Sequence, residues 1–292
     1  MKKRVVCVLM VVFMFFSIPA NSLAIDFAKE YTADEALDLL ERNYRGIYGD
    51  SEEYNTAKRF IGIYRTDPMF SLHYQSDPED AIAMVASVVD HMIEPDPVVE
   101  LGEAETHAAV YSVSGVPSYQ QVQSNSCGAA SALQVIVQQG GASNIHGSTY
   151  TQKEKTLISE TGLGTGSQTS VMVYEVRNLI NDYIPSGSKY YYIACDDLTE
   201  SEFTEYIRDS FIDDCPVILH AIKGYLDYYP SSDMGGHYIV GTALRPPEKT
   251  LTLNDCNWRD EYAGVHTVSI TSAYESVHEY KTTRYLIYGQ SN

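Results

Sequence analysis

The sequence predicts an α+β fold, in which helices come first along the chain and strands follow. Apolar residues recur at helical spacing from residue 25 to about residue 94. From residue 116 onward, helical stretches alternate with short runs rich in Tyr, Ile and Val, which are residues that favour strands. Helices followed by a group of strands are typical of a helical layer packed on an antiparallel sheet.

Two capping patterns mark helix starts in the amino-terminal region. Thr32 is followed three residues later by Glu35, and Ser76 is followed at the same spacing by Glu79. Each pair has the form of a capping box, in which the two residues satisfy each other's free backbone N–H groups. Residues 98–115 are acidic and then alternating, which indicates a linker or the first strand.

The rest of the chain contains both kinds of element. Helices are expected at about 127–139, 151–160, 170–183 and 199–212, with a short one beginning near 272. Strands are expected at 190–194, 217–219, 238–240, 251–253, 266–270 and 284–288.

Composition and charge exclude several classes of protein. Apolar residues make up 44% and charged residues 20% of the chain, which is ordinary for a globular protein and argues against disorder. The formal net charge of −19 would repel a phosphate backbone, so we do not expect nucleic-acid binding. A multi-pass membrane protein is excluded because the sequence has only one long apolar run.

That apolar run has the features of a secretory signal. Three cations at residues 2–4 precede an apolar stretch at 5–18, and small residues follow at positions 22 and 24. We predict a signal peptide over 1–24, cleaved after Ala24, and therefore a secreted protein with no stable membrane insertion. The alternative is an uncleaved anchor, but a run of about 14–16 residues is shorter than the ~18 that a spanning helix needs.

Four cysteines follow the predicted signal. They are too few for a disulfide scaffold in a chain of this length, and their spacing includes no C-x-x-C pair that would indicate zinc or redox chemistry. We expect Cys195, Cys215 and Cys256 to be small buried side chains or to include one disulfide. No metal or other cofactor is predicted.

Cys127 is the candidate nucleophile. It lies at a predicted helix start, where free N–H groups and the helix dipole stabilise a thiolate. Gly128 allows a substrate to approach the backbone closely. Gln121 could place its side-chain amide beside the N–H of Cys127, so that the two donors form an oxyanion hole. The alternative is a buried structural thiol.

A cysteine nucleophile needs a general base from another element. Among the eight histidines, His237 is the best candidate because two glycines precede it and a strand follows it. His220 is interpreted as a core or strand-end residue. Asp255 follows a predicted strand and could orient the imidazole, a role that Asn254 or Asn257 could also take. The alternatives are a structural histidine and an ordinary turn.

The order of these motifs resembles the peptidase C39-like family. Residues 116–121 read Val-Pro-Ser-Tyr-Gln-Gln, Cys127-Gly follows after five residues, Gly-His-Tyr-Ile-Val-Gly occupies 236–241, and Asn-Asp occupies 254–255. The family belongs to the papain clan and is related to the double-glycine peptidases that process bacteriocin leaders. The resemblance covers about residues 116–290.

The resemblance implies a papain-like cysteine peptidase fold and a role for each site residue. Cys127 would be the nucleophile, His237 the base, Asp255 the residue that orients the base, and Gln121 the oxyanion donor. The family often has Cys-Gly-Pro and Asp-Pro at positions where this chain has Cys-Gly-Ala and Asp-Cys, but neither change removes a catalytic group. No transporter segments follow, so we do not expect the substrate of a bacteriocin exporter.

We therefore predict a secreted cysteine peptidase that acts on a peptide or protein substrate. The predicted organisation is a signal peptide over 1–24, a helical region and linker over 25–110 that could be a removable pro-segment, and a peptidase domain over 111–292. The alternative is a catalytically inactive exported binding module on the same fold. The sequence does not indicate the oligomeric state.

Overall fold

The computed structural model describes residues 31–93, 110–161, 172–278 and 283–291. These residues form two compact units, one from 31–65 and 74–93 and the other from 66–73 and the described part of 110–291. The predicted signal peptide and most of the predicted linker lie outside the described residues. None of the helices in the described ranges is both long and apolar enough to cross a membrane.

Nine α-helices occur in the described residues, and four of them precede the first strand. Their bounds are α1 (Ala33–Tyr48), α2 (Glu52–Thr66), α3 (Pro68–Ser76), α4 (Pro78–Ile93), α5 (Cys127–Gln138), α6 (Tyr150–Thr161), α7 (Val173–Tyr183), α8 (Glu200–Ile212) and α9 (Ile270–His278).

The first of the two predicted helix starts is confirmed. The Thr32 hydroxyl accepts from the N–H of Glu35 at 3.3 Å, and the Glu35 carboxylate accepts from the N–H of Thr32 at 2.8 Å. The second prediction is wrong in detail, because Ser76 is the last residue of α3. The Asp77 carboxylate caps α4 instead and accepts from the N–H of Asp80 at 3.1 Å. Pro78 is the first residue of α4, and proline favours the position directly after the cap.

The described strands form one antiparallel sheet. Their bounds are β1 (Tyr111–Ser112), β2 (Ser188–Ala194), β3 (Val217–Ile222), β4 (Gly236–Arg245), β5 (Thr250–Asp255), β6 (Gly264–Ser269) and β7 (Tyr285–Ser291). The order is β2-β7-β3-β4-β5-β6, with β1 paired to β4. Helices followed by an antiparallel sheet confirm the predicted α+β class and are consistent with a papain-like fold.

The register of the central strands brings two of the predicted site residues to the same end of the sheet. On one side of β4, His237 lies opposite Ala221 of β3. On its other side, Val240 lies opposite Asn254 of β5. Because β4 and β5 run in opposite directions, Asp255 at the end of β5 lies beside the start of β4, where His237 is.

Helix α5 packs against β4 and fixes the position of Cys127. Leu133 and Ile136 on this helix are fully buried, and burial of one such side chain contributes about 1.5–3 kcal/mol. The Ser131 hydroxyl also donates to the carbonyl oxygen of Tyr238 at 2.9 Å. These contacts hold the amino-terminal end of α5 at the start of β4.

Asp67 is a buried carboxylate away from these residues. Its Oδ1 accepts from the hydroxyl of Tyr285 at 2.5 Å and from the N–H of Met69 at 2.8 Å. Burial outweighs these hydrogen bonds and, with the charge of Asp196, raises the pKa of Asp67 from 3.8 to about 6. The folded protein therefore holds the Asp67 proton more tightly than the unfolded chain does.

We expect the Asp67 contribution to the free energy of unfolding to fall as the pH rises from about 4 to about 6. Below this window Asp67 is protonated in both states, whereas above it the folded protein holds a buried carboxylate. Asp67→Asn cannot ionise, so its stability relative to the wild type should increase by about 3 kcal/mol across the window. Urea unfolding at several pH values measures this, and parallel pH profiles for the two proteins would contradict it.

Candidate active site

Cys127 is the first residue of α5, and its thiol is partly buried. The sulfur forms a hydrogen bond with the ring of His237 and accepts from the backbone N–H groups of Tyr238 and Gly128. Burial opposes ionisation, but the hydrogen bond and charge of His237, together with the two N–H groups, lower the pKa of Cys127 below its ordinary value of 9.0. The site therefore favours a thiolate.

The other described cysteines differ from Cys127. All four are free thiols, and Cys195, Cys215 and Cys256 are buried, which agrees with the first of the two alternatives that the sequence leaves open. Burial raises the pKa of each of these three thiols. Cys127 is thus the one described cysteine whose surroundings lower its pKa.

His237 contacts both of its predicted partners. Its Nε2 lies 2.7 Å from Oδ1 of Asp255, which leaves Nδ1 for the Cys127 thiol. The side chain is almost fully buried. Burial disfavours the charged ring, but the carboxylate of Asp255, followed by Cys127, outweighs it and raises the pKa of His237 to about 10. The pair therefore favours a proton on the ring of His237 and a negative charge on the Cys127 sulfur.

Asp255 is fully buried at the end of β5, and four donors surround its carboxylate. Besides His237, the N–H of Asn257 donates to Oδ1 at 2.8 Å. The hydroxyls of Tyr228 and Tyr229 donate to Oδ2 at 2.9 Å and 2.7 Å. Burial raises the pKa of Asp255, but the charge of His237 and these hydrogen bonds outweigh it, so the pKa lies below 3.8.

We call Tyr228, Tyr229 and the N–H of Asn257 the carboxylate clamp. Sequence reasoning did not single out the two tyrosines. The two asparagines proposed as alternatives to Asp255 have other partners. Asn257 supports Asp255 through its backbone, and the Asn254 amide donates to the carbonyl oxygen of Pro117 at 3.0 Å.

Gln121 is also buried close to the site. Its backbone N–H donates to the carbonyl oxygen of Cys256 at 2.7 Å, and its side-chain amide donates to that of Gln123 at 2.5 Å. The sulfur of Cys256 lies 3.8 Å from Oε1 of Gln121 and 3.8 Å from the carbonyl oxygen of Cys127. Gln121 and Cys127 thus flank the same buried thiol, and the Gln121 amide retains a second N–H.

One group of potential metal ligands occurs among the described residues. Single ligand atoms of His237, Asp255 and Cys256 lie within 4.8 Å of one another. However, His237 and Asp255 are already hydrogen-bonded to each other, and Cys256 is fully buried, with its sulfur 3.7 Å from the Ser131 hydroxyl. These donors suit an acid–base pair better than a metal.

The arrangement can perform nucleophilic catalysis. A thiolate with an adjacent imidazolium is an activated nucleophile paired with a general acid, and a buried carboxylate fixes the ring that serves both steps. The three residues come from the start of α5, the start of β4 and the end of β5, so the fold brings together groups that are far apart along the chain.

Comparison with known proteins gives a match to a family model. A family model described as "Peptidase_C39 like family" matches residues 113–288, which is more than half of the chain. The matched segment contains Gln121, Cys127, His237 and Asp255. A search of curated proteins gives no match.

Proposed function

Because the chain belongs to the Peptidase_C39 like family, we propose that it is a cysteine peptidase that hydrolyses amide bonds in a peptide or protein substrate. The match confirms the family that the motif order predicts. The observation that supports catalysis most directly is the continuous hydrogen-bonded series from the Cys127 thiol through His237 to Asp255, with a lowered pKa at Cys127.

In the proposed reaction, the Cys127 thiolate attacks the carbonyl carbon of the scissile amide. The carbonyl oxygen becomes an oxyanion, and Nδ1–H of His237 protonates the leaving amine as the C–N bond breaks. A thioester remains on Cys127. His237 then removes a proton from water, the hydroxide attacks the thioester, and the acid product leaves as the thiolate–imidazolium pair is restored.

The supporting residues have distinct proposed roles. Asp255 holds Nε2 of His237, so that Nδ1 stays directed at the sulfur, and its negative charge stabilises the imidazolium. The carboxylate clamp keeps Asp255 ionised and fixes its plane. The backbone N–H of Cys127 and the remaining amide N–H of Gln121 would bind the oxyanion.

We also propose that the protein acts after export. The support is the predicted signal peptide, with its cations at residues 2–4 and apolar stretch at 5–18. Amino-terminal sequencing of protein recovered from the culture medium would test this, and the expected first residue is Ile25.

Alkylation of Cys127 tests the proposed function without knowledge of the substrate. We expect iodoacetamide to modify Cys127 at a lower pH than the other described thiols, because the thiolate is the reactive form and Cys127 is the one described cysteine with a lowered pKa. Peptide mapping by mass spectrometry measures the rate at each cysteine. His237→Ala should move the rise in rate to higher pH, and Cys195→Ser serves as the matched control.

Two results would contradict the proposal. One is a Cys127 that is alkylated no faster than the other described thiols, and the other is a rate that rises only near pH 9, the ordinary pKa of a thiol. Either result would favour the inactive binding module instead.

A further inference from the structure

Glu154 is a fully buried residue of α6, a helix that packs against α5. Leu157 and Ile158 lie three and four residues further along the same helix face and are buried with it. The ring of Tyr150 at the start of α6 stacks on the ring of Tyr119, with centroids 5.1 Å apart. The helix therefore holds the Glu154 side chain in a fixed position relative to the segment that leads into α5.

Two groups of that segment, residues 121–126, donate to one oxygen of Glu154. The N–H of Val122 donates to Oε1 at 3.0 Å, and the hydroxyl of Ser126 donates to the same atom at 2.7 Å. Ser126 directly precedes α5 and is itself fully buried. The carboxylate thus ties both ends of the 121–126 segment to α6.

These contacts extend to the side chain of Gln121 through Gln123. The Ser126 hydroxyl accepts from the N–H of Gln123 at 3.1 Å, and the N–H of Ser126 donates to the carbonyl oxygen of Gln123 at 3.2 Å. That carbonyl oxygen also accepts from the side-chain amide of Gln121 at 2.5 Å. A continuous series of hydrogen bonds therefore joins the Glu154 carboxylate to the Gln121 amide, which is the proposed oxyanion donor.

Burial of this carboxylate opposes its ionisation. It raises the pKa of Glu154 above the ordinary value of 4.5, and the hydrogen bonds from Ser126 and Val122 offset only part of the rise. Among the described residues, the second oxygen, Oε2, has no hydrogen-bond partner. A buried carboxyl group with so few partners contributes little to folding by itself, so its two contacts to the 121–126 segment are what distinguish it from an apolar residue.

We propose that Glu154 is a positioning residue for the oxyanion hole, and that it acts on the Gln121 amide through the hydrogen bonds of the 121–126 segment. The inference rests on the proposed function. An oxyanion donor is most effective when its geometry is fixed before the charge develops, because no reorganisation is then needed during the reaction. Since the amide group is planar, holding one N–H of Gln121 also fixes the direction of the other.

Two variants of Glu154 test this role. Glu154→Met keeps a long unbranched side chain and a high helix propensity but removes the acceptor. We expect it to slow formation of the thioester about 10- to 100-fold, less than the loss of a whole oxyanion donor. Glu154→Gln retains an oxygen that accepts from both donors and should keep the rate within about three-fold of the wild type. The matched control is Glu160→Met, at an exposed position of α6, which should leave the rate unchanged.

The rates of two reactions at Cys127 measure the effect without a known substrate. With p-nitrophenyl acetate, the sulfur attacks the acetyl carbonyl carbon and an oxyanion forms, then the C–O bond to p-nitrophenolate breaks and a thioester remains. Iodoacetamide alkylates the same sulfur with loss of iodide and forms no oxyanion. We expect Glu154→Met to lower the ratio of acylation to alkylation about 10- to 100-fold, with little change in alkylation. A merely structural defect at the start of α5 would lower both rates together.

A double-mutant cycle tests whether Glu154 acts through Gln121. Gln121→Ala alone should lower the ratio of acylation to alkylation by about 10²–10³. Adding Glu154→Met to Gln121→Ala should lower it further by less than about three-fold, because the donor that Glu154 positions is then absent. Two effects that simply multiply would show that Glu154 does not act on this amide and would overturn the proposal.

The outcomes separate this inference from the proposed function. An unchanged ratio in folded Glu154→Met, with the fold checked by circular dichroism, would overturn the role of Glu154 and leave the peptidase proposal standing. If the wild type cleaves no peptide, the peptidase proposal fails, and the ratio of acylation to alkylation still decides the inference. A wild type that p-nitrophenyl acetate does not acylate would overturn both.

Ser126→Ala decides the inference if Glu154→Met does not fold. It removes the hydroxyl that joins the carboxylate to Gln123 and should lower the ratio of acylation to alkylation in the same direction. An unchanged ratio in folded Ser126→Ala would then overturn the proposed role of Glu154.

Discussion

Purified Cys127→Ala protein should hydrolyse peptides at least about 10⁴-fold more slowly than the wild type, because the substitution removes the only atom that forms the thioester. The fold should survive, since Cys127 is the first residue of α5 and alanine is the best helix former. Digestion of a peptide library, followed by mass spectrometry, measures the loss.

The matched control for this variant is Cys215→Ala. It removes a buried thiol of raised pKa that has no role in the proposed reaction, so activity per folded molecule should remain near that of the wild type. Retained hydrolysis in pure, folded Cys127→Ala would overturn the assignment of the nucleophile.

The second large effect is expected for Asp255→Asn, which should lower kcat by about 10²–10⁴. The substitution keeps the size of the side chain but removes the charge that raises the pKa of His237 and, through it, lowers that of Cys127. The alkylation rate of Cys127 should therefore fall at neutral pH and recover at higher pH. A lost thiolate–imidazolium pair predicts both changes, whereas a merely structural role predicts neither.

Two variants of the carboxylate clamp provide smaller changes with which the effect of Asp255→Asn on the alkylation profile can be compared. Tyr229→Phe removes one of the hydrogen bonds to Asp255 and should shift the alkylation profile less than Asp255→Asn does. Asn257→Ala keeps the backbone N–H that donates to Asp255 and should shift it least. An Asp255→Asn protein with wild-type kcat and an unchanged profile would show that Asp255 does not orient His237.

The sequence predicts most of the fold because its local signals agree with the tertiary structure. The apolar residues that follow Cys127, such as Leu133 and Ile136, and the capping box at Thr32 each specify a helix from nearby residues alone. The start of α4 differs from the prediction because two capping patterns overlap there, and the proline after Asp77 decides between them.

The proposed triad could be predicted because each member has a local signature, namely a helix start, a glycine-preceded strand and a strand end. Tyr228 and Tyr229 have no such signature. Tyr229 contacts Asp255 across 26 positions of sequence, and Tyr228 contacts it across 27. Only the tertiary fold brings these tyrosines to the carboxylate, and nothing in one sequence distinguishes them from the other tyrosines.

The Cys127 thiolate can report on refolding, because the site is assembled from the start of α5, the start of β4 and the end of β5. Its reactivity requires β4 and β5 to pair and α5 to dock on them, and such non-local contacts are the slow ones in a folding chain. During refolding, samples treated briefly with iodoacetamide should therefore show Cys127 becoming reactive only when these elements have packed together. We expect this to occur later than the rise of the circular dichroism signal, which reports secondary structure.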